Sequence, residues 1–466
     1  MYALFKPELL ELARTVHQQH AVFEKDGISI GELNDIQLGR IKNILRYVKA
    51  YSPFYQDRLS GLSSSAIDEL DWNAFRKLPF TTKNDLREAG HGMAAAPLTN
   101  AWIYYETTGT TGAATPCPRN EHDSIFNNTP LILRYSELFR AHGQQHIVGV
   151  MGPTELHSTG DTFEDVCRSL GHTVVKMWPR SPVVGLDRAV TLIRELKITA
   201  LVCTPAVAIS LARHLIKKGQ SPSDLGVKLI FTLGELTTPA LLRNIGDVWG
   251  SAVYNCMYAS QESSILAACD KDGNLCTVPL NVVYEVVNPL TGKVLDPVNA
   301  KMTGELVITH LYQGQKPLIR YRTGDMVRAQ VMGKGHWQII PIGRVRDTLV
   351  INGHNLCAYD VEAALFEHLK GCLDYHIQVE TVGGEDQLSV TLELQQNTAF
   401  DNDLEAVASS MADRLGARVH LTVGPTDAVT GTAAMVSWKA ARLHDKRSGS
   451  DNNERETALN IAARRA

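Results

Sequence analysis

The sequence lacks the usual marks of a secreted or membrane protein. Its eight cysteines are scattered, and no two form a Cys-x-x-Cys pair. No stretch approaches the ~20 apolar residues that cross a bilayer, and the N-terminus mixes apolar with charged residues, unlike a signal peptide. We therefore expect reduced thiols in a cytoplasmic protein with no membrane partner. The spacing of Cys256, Cys269 and Cys276 is too loose to predict a metal site.

A strong charge of either sign is also absent. The formal net charge is -4 over 466 residues, which gives no electrostatic reason to expect a nucleic-acid partner. Small anionic ligands need only local positive charge and are not excluded. The length exceeds one ordinary core, so we expect two or more domains. Hydrophobic content of 44% and charged content of 21% fit a globular chain.

What is present is a short run rich in hydroxyls and glycine. It consists of Thr107, Thr108, Gly109, Thr110, Thr111 and Gly112. Glycine lets backbone N–H groups approach anionic oxygens closely, and threonine hydroxyls add donors. The run follows residues 101–105, which we expect to form a strand. A solvated turn is the alternative reading, but the segments downstream favour a phosphate loop.

The pattern of apolar residues predicts an α/β fold. Apolar strand candidates alternate with helical patterns at 147–151, 174–178, 200–203 and 229–232. This alternation predicts a largely parallel sheet covered by helices, with ligands beyond the carboxyl ends of the strands. Antiparallel strands are expected at 282–287, 304–309 and 326–331. From about residue 343 the pattern becomes that of a small α+β domain.

Three segments carry further candidate site residues. Gly234-Glu235 ends a buried strand and would admit a flat ligand; the alternative is a helix-start turn with an acid at the positive end of the dipole. Tyr258 stands four residues before Glu262, a carboxylate suited to hold Mg²⁺ near phosphates; the alternative is an exposed loop. Asp325 follows a glycine turn and would accept hydrogen bonds from a ribose diol, or else cap that turn.

A basic segment begins the small domain. Residues 343–347 supply Arg344 and Arg346, and guanidinium groups suit phosphate or ribose contacts. A basic linker without a binding function is the alternative.

In this order the segments resemble those of the adenylate-forming superfamily, which comprises acyl-CoA synthetases, peptide-synthetase adenylation domains and luciferases. The segments 46–55 and 78–86 are most similar to the phenylacetate-CoA ligase branch. The stretch 438–445, Trp-Lys-Ala-Ala-Arg-Leu-His-Asp, resembles the lysine motif of that branch. The resemblance covers roughly residues 36–445.

The resemblance implies a two-step reaction. A carboxylic acid, expected to be aromatic, attacks ATP to give an acyl-adenylate and pyrophosphate, and the thiol of CoA then displaces AMP. It implies that Lys439 and Glu262 are catalytic, that Glu262 binds Mg²⁺, and that the 107–112 run cradles the phosphates. The nucleotide residues would be Gly234, Glu235, Tyr258, Asp325 and Arg344. The acid pocket would include His157, Pro205, Gly234 and Ala259.

The implied domain organisation has three parts. Residues 1–342 would form the N-terminal adenylation domain, with parallel-rich sheets covered by helices and a β-rich subdomain. Residues 343–447 would form a small mobile α+β domain that carries Lys439. Residues 448–466 would form a flexible tail.

The sequence departs from the superfamily pattern in several places. No lysine follows the 107–112 run, so its positive charge is expected from Mg²⁺, Arg344 and the C-terminal domain. Ala259 and Gln261 stand where glycine and serine or threonine are usual, Arg346 stands at an often acidic hinge position, and Trp438 replaces a glycine.

Other readings stay open at this point. The acyl acceptor is CoA, a carrier-protein phosphopantetheine or an amine, and the identity of the acid is not fixed by the sequence. A homodimer is also left open. A non-catalytic nucleotide-binding homologue is less favoured because Glu262, Asp325 and Lys439 are present, and a generic α/β binding protein would require five coincident motifs.

Overall fold

The computed structural model describes residues 6–107, 114–395, 402–426, 438–450, 452, 453, 455, 456 and 459, without the side chains of Lys334, Lys439 and Ala440. The chain divides into two compact units, each built from separate stretches. The first unit comprises Met1–Ala141, Pro153–Gly171 and Met257–Pro341, and the second comprises His142–Gly152, His172–Cys256 and Ile342–Ala466.

The α-helices of the described residues are, in chain order, α1 (Pro7–Asp26), α2 (Ile30–Tyr51), α3 (Pro53–Arg58), α4 (Ser64–Asp68), α5 (Trp72–Phe75), α6 (Lys83–Ala89), α7 (Glu121–His142), α8 (Thr159–Ser169), α9 (Gly185–Glu195), α10 (Pro205–Lys217), α11 (Pro239–Trp249), α12 (Ala358–Phe366), α13 (Leu404–Leu415) and α14 (Trp438–Arg442). Several begin where the sequence offers a cap. Thr204 and Thr238 cap α10 and α11, each of which has proline at its start.

The strands of the same residues are β1 (Ile103–Glu106), β2 (Pro116–Arg119), β3 (Ile147–Met151), β4 (Thr173–Lys176), β5 (Ala200–Cys203), β6 (Leu229–Leu233), β7 (Ala252–Ser260), β8 (Ser264–Cys269), β9 (Leu275–Thr277), β10 (Val282–Val287), β11 (Lys301–His310), β12 (Tyr321–Val331), β13 (Trp337–Arg344), β14 (Leu349–Ile351), β15 (His354–Leu356), β16 (Cys372–Val382), β17 (Glu385–Leu394), β18 (Arg418–Val423) and β19 (Leu443–Asp445).

The first unit is rich in antiparallel strands. β10, β11 and β12 pair antiparallel, as do the end of β7 with β8 and β8 with β9. The expected glycine turn at residues 321–325 is wrong, because these residues begin strand β12. Gly324 has φ +73°, which glycine adopts without strain, and the pairing register shifts opposite this region between Glu305 and Val307. The glycine that suggested a turn instead produces a local irregularity inside the strand.

The second unit contains the parallel strands. β3 pairs parallel with β4 and β5, and β5 pairs parallel with β6. Its C-terminal stretch forms a separate four-stranded sheet in the order β18, β17, β16, β19. β5 and β6 are buried along their whole length, as strands covered on both faces must be. The predicted α/β class, with parallel strands, a β-rich part and a small α+β part, is confirmed.

A continuous hydrophobic cluster organises the second unit. It joins apolar residues of α9, α10 and α11, such as Ile193, Leu211 and Ile245, to residues of the C-terminal stretch, such as Leu365 and Ile377. The C-terminal sheet of this unit therefore packs on helices that follow the parallel strands. Among the described residues, no helix is long and apolar enough to cross a membrane.

Candidate active site

The predicted phosphate loop begins and ends on an antiparallel hairpin. β1 and β2 pair so that Glu106 lies opposite Pro116. The Thr107 N–H donates to the carbonyl of Thr115 at 3.1 Å, and the Thr115 N–H donates to the Thr107 hydroxyl at 2.9 Å. Thr107 thus closes the neck of the loop.

The rest of the predicted loop lies outside the described residues. The roles assigned to Thr108, Gly109, Thr110, Thr111 and Gly112 therefore stay predictions.

Glu262 lies in the turn between β7 and β8. Its side chain is 9% exposed and is paired with a lysine to which the sequence had assigned no role. Lys83 donates to Oε1 of Glu262 in an ion pair, and the Tyr321 hydroxyl donates to the same oxygen at 3.0 Å. Burial opposes the charge of Glu262, but the Lys83 ammonium and the hydrogen bonds outweigh it and lower the pKa to about 2. The carboxylate is therefore ionised at neutral pH.

Lys83 is placed by a capped helix and by backbone pairing. It is the first residue of α6, whose cap is a capping box between Thr82 and Asp85. Thr81, two residues before Lys83, bridges to Tyr321, and its N–H donates to the Arg320 carbonyl at 3.0 Å. The segment 78–86 is thus tied to the strand that carries the Tyr-Arg-Thr-Gly-Asp sequence.

The structure brings together two of the predicted nucleotide residues. The Tyr258 hydroxyl donates to Oδ2 of Asp325 at 2.6 Å. Asp325 follows Gly324 on β12, and the Asp325 N–H bonds the Thr323 hydroxyl at 3.1 Å. The hydrogen bond from Tyr258 orients the carboxylate that was predicted to meet the ribose.

Gln261, one of the departures from the superfamily pattern, connects three segments. Its Oε1 accepts hydrogen bonds from the Ser158 hydroxyl at 2.5 Å and the Ser158 N–H at 3.3 Å. Its Nε2 donates to the carbonyls of Glu106 at 3.4 Å and Leu156 at 3.3 Å. Glu262 is therefore fixed, through its neighbour, to the hairpin that carries the loop. Ala259 precedes this turn on β7.

His157 lies in the loop that Gln261 holds. Its Nδ1 accepts the Thr159 N–H at 3.3 Å and lies 3.0 Å from the Thr159 hydroxyl. Burial, and then the Arg119 charge, lower the pKa of His157 to about 4. The ring is therefore neutral at pH 7, so it would meet a substrate as a neutral hydrogen-bonding group.

The other predicted pocket residues lie in the second unit. Gly234 follows β6 with φ +80°. The next residue, Glu235, accepts the Ala206 N–H at 3.0 Å, so its carboxylate lies at the N-terminus of α10, which begins at Pro205. Burial raises the pKa of Glu235, while this hydrogen bond lowers it. The structure thus joins Gly234, Glu235 and Pro205 at the carboxyl ends of two parallel strands.

The remaining two predicted residues lie on the C-terminal side of the second unit. Arg344 is the last residue of β13 and is exposed. Lys439 is the second residue of α14, and its side chain is outside the described part. Their roles stay predictions.

The model of the family described as "AMP-binding enzyme" matches residues 53–312, which is more than half of the chain. The chain belongs to the AMP-binding enzyme family. The prediction of an adenylate-forming enzyme similar to the phenylacetate-CoA ligase branch is confirmed.

Relatives of this AMP-binding enzyme cover most of its length. A phenylacetate-coenzyme A ligase of Thermus thermophilus is 28% identical over 435 residues, which are 86% of this chain and 92% of the relative. One of Pseudomonas putida is 25% identical over 430 residues, which are 90% of this chain and 95% of the relative. A solved 2-hydroxyisobutyryl-CoA ligase has a TM-score of 0.73 at 20% identity and 94% coverage of both chains. That likeness shows the shared fold.

The donor set of this AMP-binding enzyme fits Mg²⁺. Within the described part of the chain, no three His, Cys, Asp or Glu side chains form a metal site by themselves. Glu262 is ionised, and its contacts with described side chains fall on Oε1, which leaves Oε2 for a cation. Mg²⁺ is commonly bound by one or two carboxylates together with substrate phosphates. Glu262 therefore suits a metal shared with a phosphate ligand.

The sequence indicated Mg²⁺, Arg344 and the C-terminal domain as sources of positive charge for the 107–112 run, and the structure adds three basic residues near the β1–β2 hairpin and Glu262. Lys83 lies against Glu262, and Lys316 is buried with its ammonium on the carbonyl of Pro116 and 3.7 Å from Cys117 Sγ. Arg119 donates to the carbonyl of Gln261 at 3.3 Å. A signal for Lys83 was available, since it lies in the 78–86 segment that carried the resemblance. Nothing local in the sequence distinguished Lys316 from a surface lysine.

Proposed function

We propose that this enzyme activates an aromatic carboxylic acid with ATP, releases pyrophosphate, and transfers the acyl group from the adenylate to the thiol of CoA. Membership of the AMP-binding enzyme family and the named ligases that match most of the chain support the proposal. The observation that carries it is the buried, ionised Glu262, paired with Lys83 and linked through Gln261 to the neck of the loop.

The first step brings a carboxylate against a polyanion. A carboxylate oxygen forms a bond to the α-phosphorus while the bond from that phosphorus to the pyrophosphate oxygen breaks. Catalysis then depends on alignment and on neutralising charge. In our proposal Lys83 keeps Glu262 ionised and contributes positive charge, and the 107–112 run donates hydrogen bonds to phosphate oxygens. Mg²⁺ held by Glu262 would stabilise charge on those oxygens.

The nucleoside would be held by residues from several separate segments of the chain. Asp325, oriented by Tyr258, would accept hydrogen bonds from the ribose diol. Gly234 and Tyr258 would flank the adenine, and Arg344 would contact the ribose side. His157, Pro205 and Ala259 would line the acid pocket, where a neutral His157 suits an aromatic acid with a polar substituent.

The second step would use the C-terminal residues. We propose that residues 1–342 form the adenylation domain and that residues 343–447 reorient about the Gly343 region, with 448–466 as a tail. In one orientation Lys439 would contact the charge that develops between carboxylate and phosphate. In the other it would withdraw and leave room for the thiol.

The finer partners and location are also part of the proposal. CoA is the proposed acceptor, with a carrier protein or an amine as outcomes of the assay below, and a homodimer is tested by the mass in solution. A cytoplasmic location is supported by eight free cysteines, of which all but Cys357 are buried.

Pyrophosphate exchange across a panel of aromatic acids, with and without CoA, tests the function. We expect acid-dependent exchange without CoA and AMP release in proportion to acyl-CoA with it. Exchange without CoA turnover would instead favour a carrier protein or an amine as acceptor. No exchange with any acid would refute the proposed function.

Replacing Lys439 by alanine separates the two steps. Adenylation should fall by two or more orders of magnitude, while thiol transfer from a preformed adenylate is nearly unchanged, because only the first step needs its charge. Lys446→Ala is the matched control, since Lys446 is an exposed lysine of the same region bonded to Gln378. An equal loss in both steps would show that Lys439 has another role.

A further inference from the structure

The helix that carries Lys439 is too short to be stable alone. α14 has five residues, and isolated helices below ~12–15 residues are marginal in water. Its position must therefore come from packing. The Trp438 indole N–H donates to the Tyr375 hydroxyl at 2.9 Å, and the strand that follows α14 pairs parallel with β16, Leu443 opposite Ile377. α14 is thus tied to β16 at both ends.

A buried carboxylate on β16 completes this attachment. Asp374 is 3% exposed and forms an ion pair through Oδ1 with Arg442, the last residue of α14. The Arg442 guanidinium also lies 4.4 Å from the centroid of the Tyr375 ring and donates to the Tyr375 carbonyl at 3.1 Å. Removing one partner of such a pair leaves a buried charge uncompensated, which is costly. The Asp374–Arg442 pair is therefore expected to stay formed and to hold α14 on β16.

The same carboxylate binds a second arginine from a different element. Oδ2 of Asp374 accepts a hydrogen bond from Arg213 of α10 at 3.0 Å. The Arg213 fork also reaches Glu393 on β17, with Nε 3.0 Å from Oε1. Arg213 thus connects α10 to two strands of the C-terminal sheet, both within the second unit.

α10 is the helix that begins in the predicted pocket. Its N-terminus starts at Pro205 and holds the carboxylate of Glu235. The Arg442 charge acts on Glu235 as well, opposing the effect of burial on its pKa. The network therefore runs from the lysine helix through Asp374 and Arg213 to the helix that opens at the predicted acid and nucleotide residues.

We propose that Arg213 is a positioning residue for adenylation: by sharing Asp374 with Arg442, it holds the lysine helix toward the predicted pocket, and its release frees the C-terminal residues for the thiol step. The proposal rests on the proposed function. It deepens that function by naming the link that sets the balance between the two half-reactions.

Beside the apolar packing of the C-terminal stretch on α10, Arg213 provides a polar link whose contacts can open. Its side chain is 17% exposed and that of Glu393 is 19% exposed, so water can replace their contacts. When the contact between Arg213 and Asp374 breaks, Asp374 stays paired with Arg442, so its buried charge remains compensated. Two arginines on one carboxylate thus allow a reversible contact next to a permanent one.

Three variants test the link. Arg213→Met removes it, Arg213→Lys keeps one charge contact, and Arg188→Met is a matched control, because Arg188 lies on α9 and pairs with an exposed glutamate. Pyrophosphate exchange and thiol transfer from a preformed acyl-adenylate are measured for each. We expect Arg213→Met to lower the ratio of exchange to transfer at least tenfold, with partial recovery in Arg213→Lys and no change in Arg188→Met. An unchanged ratio, or equal losses in both half-reactions, would overturn the proposal.

A second readout does not depend on activity. Trypsin cleavage after Arg346, which is 55% exposed near the start of the C-terminal region, reports how firmly that region is held. Cleavage should be several-fold faster in Arg213→Met than in the wild type or Arg188→Met. If the wild type shows no exchange with any acid, the proposed function fails. The cleavage rates still test whether Arg213 holds the C-terminal region in place. Equal cleavage rates in Arg213→Met and Arg188→Met would refute it.

Discussion

Replacing Lys83 by methionine is expected to weaken both the fold and the adenylation step. Methionine keeps the length of the side chain but removes its charge, which leaves the buried Glu262 without its main cationic partner. Burial then acts on the carboxylate with little opposition and favours its protonated form. In the proposed mechanism, a protonated Glu262 would neither hold Mg²⁺ nor balance positive charge near phosphates.

The magnitude follows from the pKa of Glu262. It lies at about 2, against an ordinary value of 4.5, and at about 1.4 kcal/mol per unit the difference is about 3 kcal/mol. Since the Lys83 side chain is 32% exposed, screening reduces its share, and we expect a loss of about 1–3 kcal/mol at pH 7. Because the folded pKa of Glu262 is depressed, this stability is present above pH 4.5. It is lost as pH falls from 4.5 toward 2.

Urea unfolding at pH 7 and pH 4, with pyrophosphate exchange as a function of pH, measures the effect. Exchange should fall about 10- to 100-fold at pH 7 and fall further toward acidic pH, where the variant protonates Glu262. Lys77→Met is the control, as Lys77 is an exposed lysine of the same segment. If Lys83→Met matches Lys77→Met in both stability and exchange, the pair with Glu262 has neither role.

Three further changes test other parts of the structure. Burial, only partly offset by hydrogen bonding, raises the pKa of Glu362 to about 7, so the stability of the wild type relative to Glu362→Gln should decline by about 3 kcal/mol between pH 4.5 and 7, as measured by urea unfolding of both proteins at each pH. Gly314→Ala places a Cβ in steric overlap with Oδ1 of the buried Asp123, and thermal unfolding should reveal a loss of about 2–3 kcal/mol. Tyr258→Phe removes the hydrogen bond that orients the Asp325 carboxylate, which should raise the KM for ATP several-fold with little change in stability, as measured by initial rates and a melting curve.

The buried strands could be predicted from sequence almost to the residue. The expected bounds 147–151, 200–203 and 282–287 are those of β3, β5 and β10. The apolar runs of β3 and β5 leave few alternatives, because a parallel strand covered on both faces is apolar throughout. β10 is also buried along its length but contains Glu285, whose carboxylate is paired with the buried Arg320. The start of β12 was misread because a glycine with positive φ inside a strand has the composition of a turn.

The site could be predicted only as far as local motifs extend. Glu262, Tyr258 and Asp325 were selected as candidates because each lies in a short recognisable segment. The partner of Glu262 was not, because Lys83 is 179 residues away and its contact is a product of tertiary packing. The same holds for Arg213 and Asp374, which come from a helix and a strand 161 residues apart.

The hydrophobic core of the second unit is built from stretches far apart in the chain, and this affects folding during synthesis on the ribosome. The first unit is complete once residue 341 has emerged, but the hydrophobic cluster of the second extends to Leu443. At roughly 5–20 residues per second, the ribosome needs about 5–20 s to make that remaining stretch. During this time the apolar faces of α10 and α11 have no final partner. Expression of a chain truncated near residue 342 should therefore yield a fragment that binds chaperones or aggregates, even though β3, β4, β5 and β6 are all present.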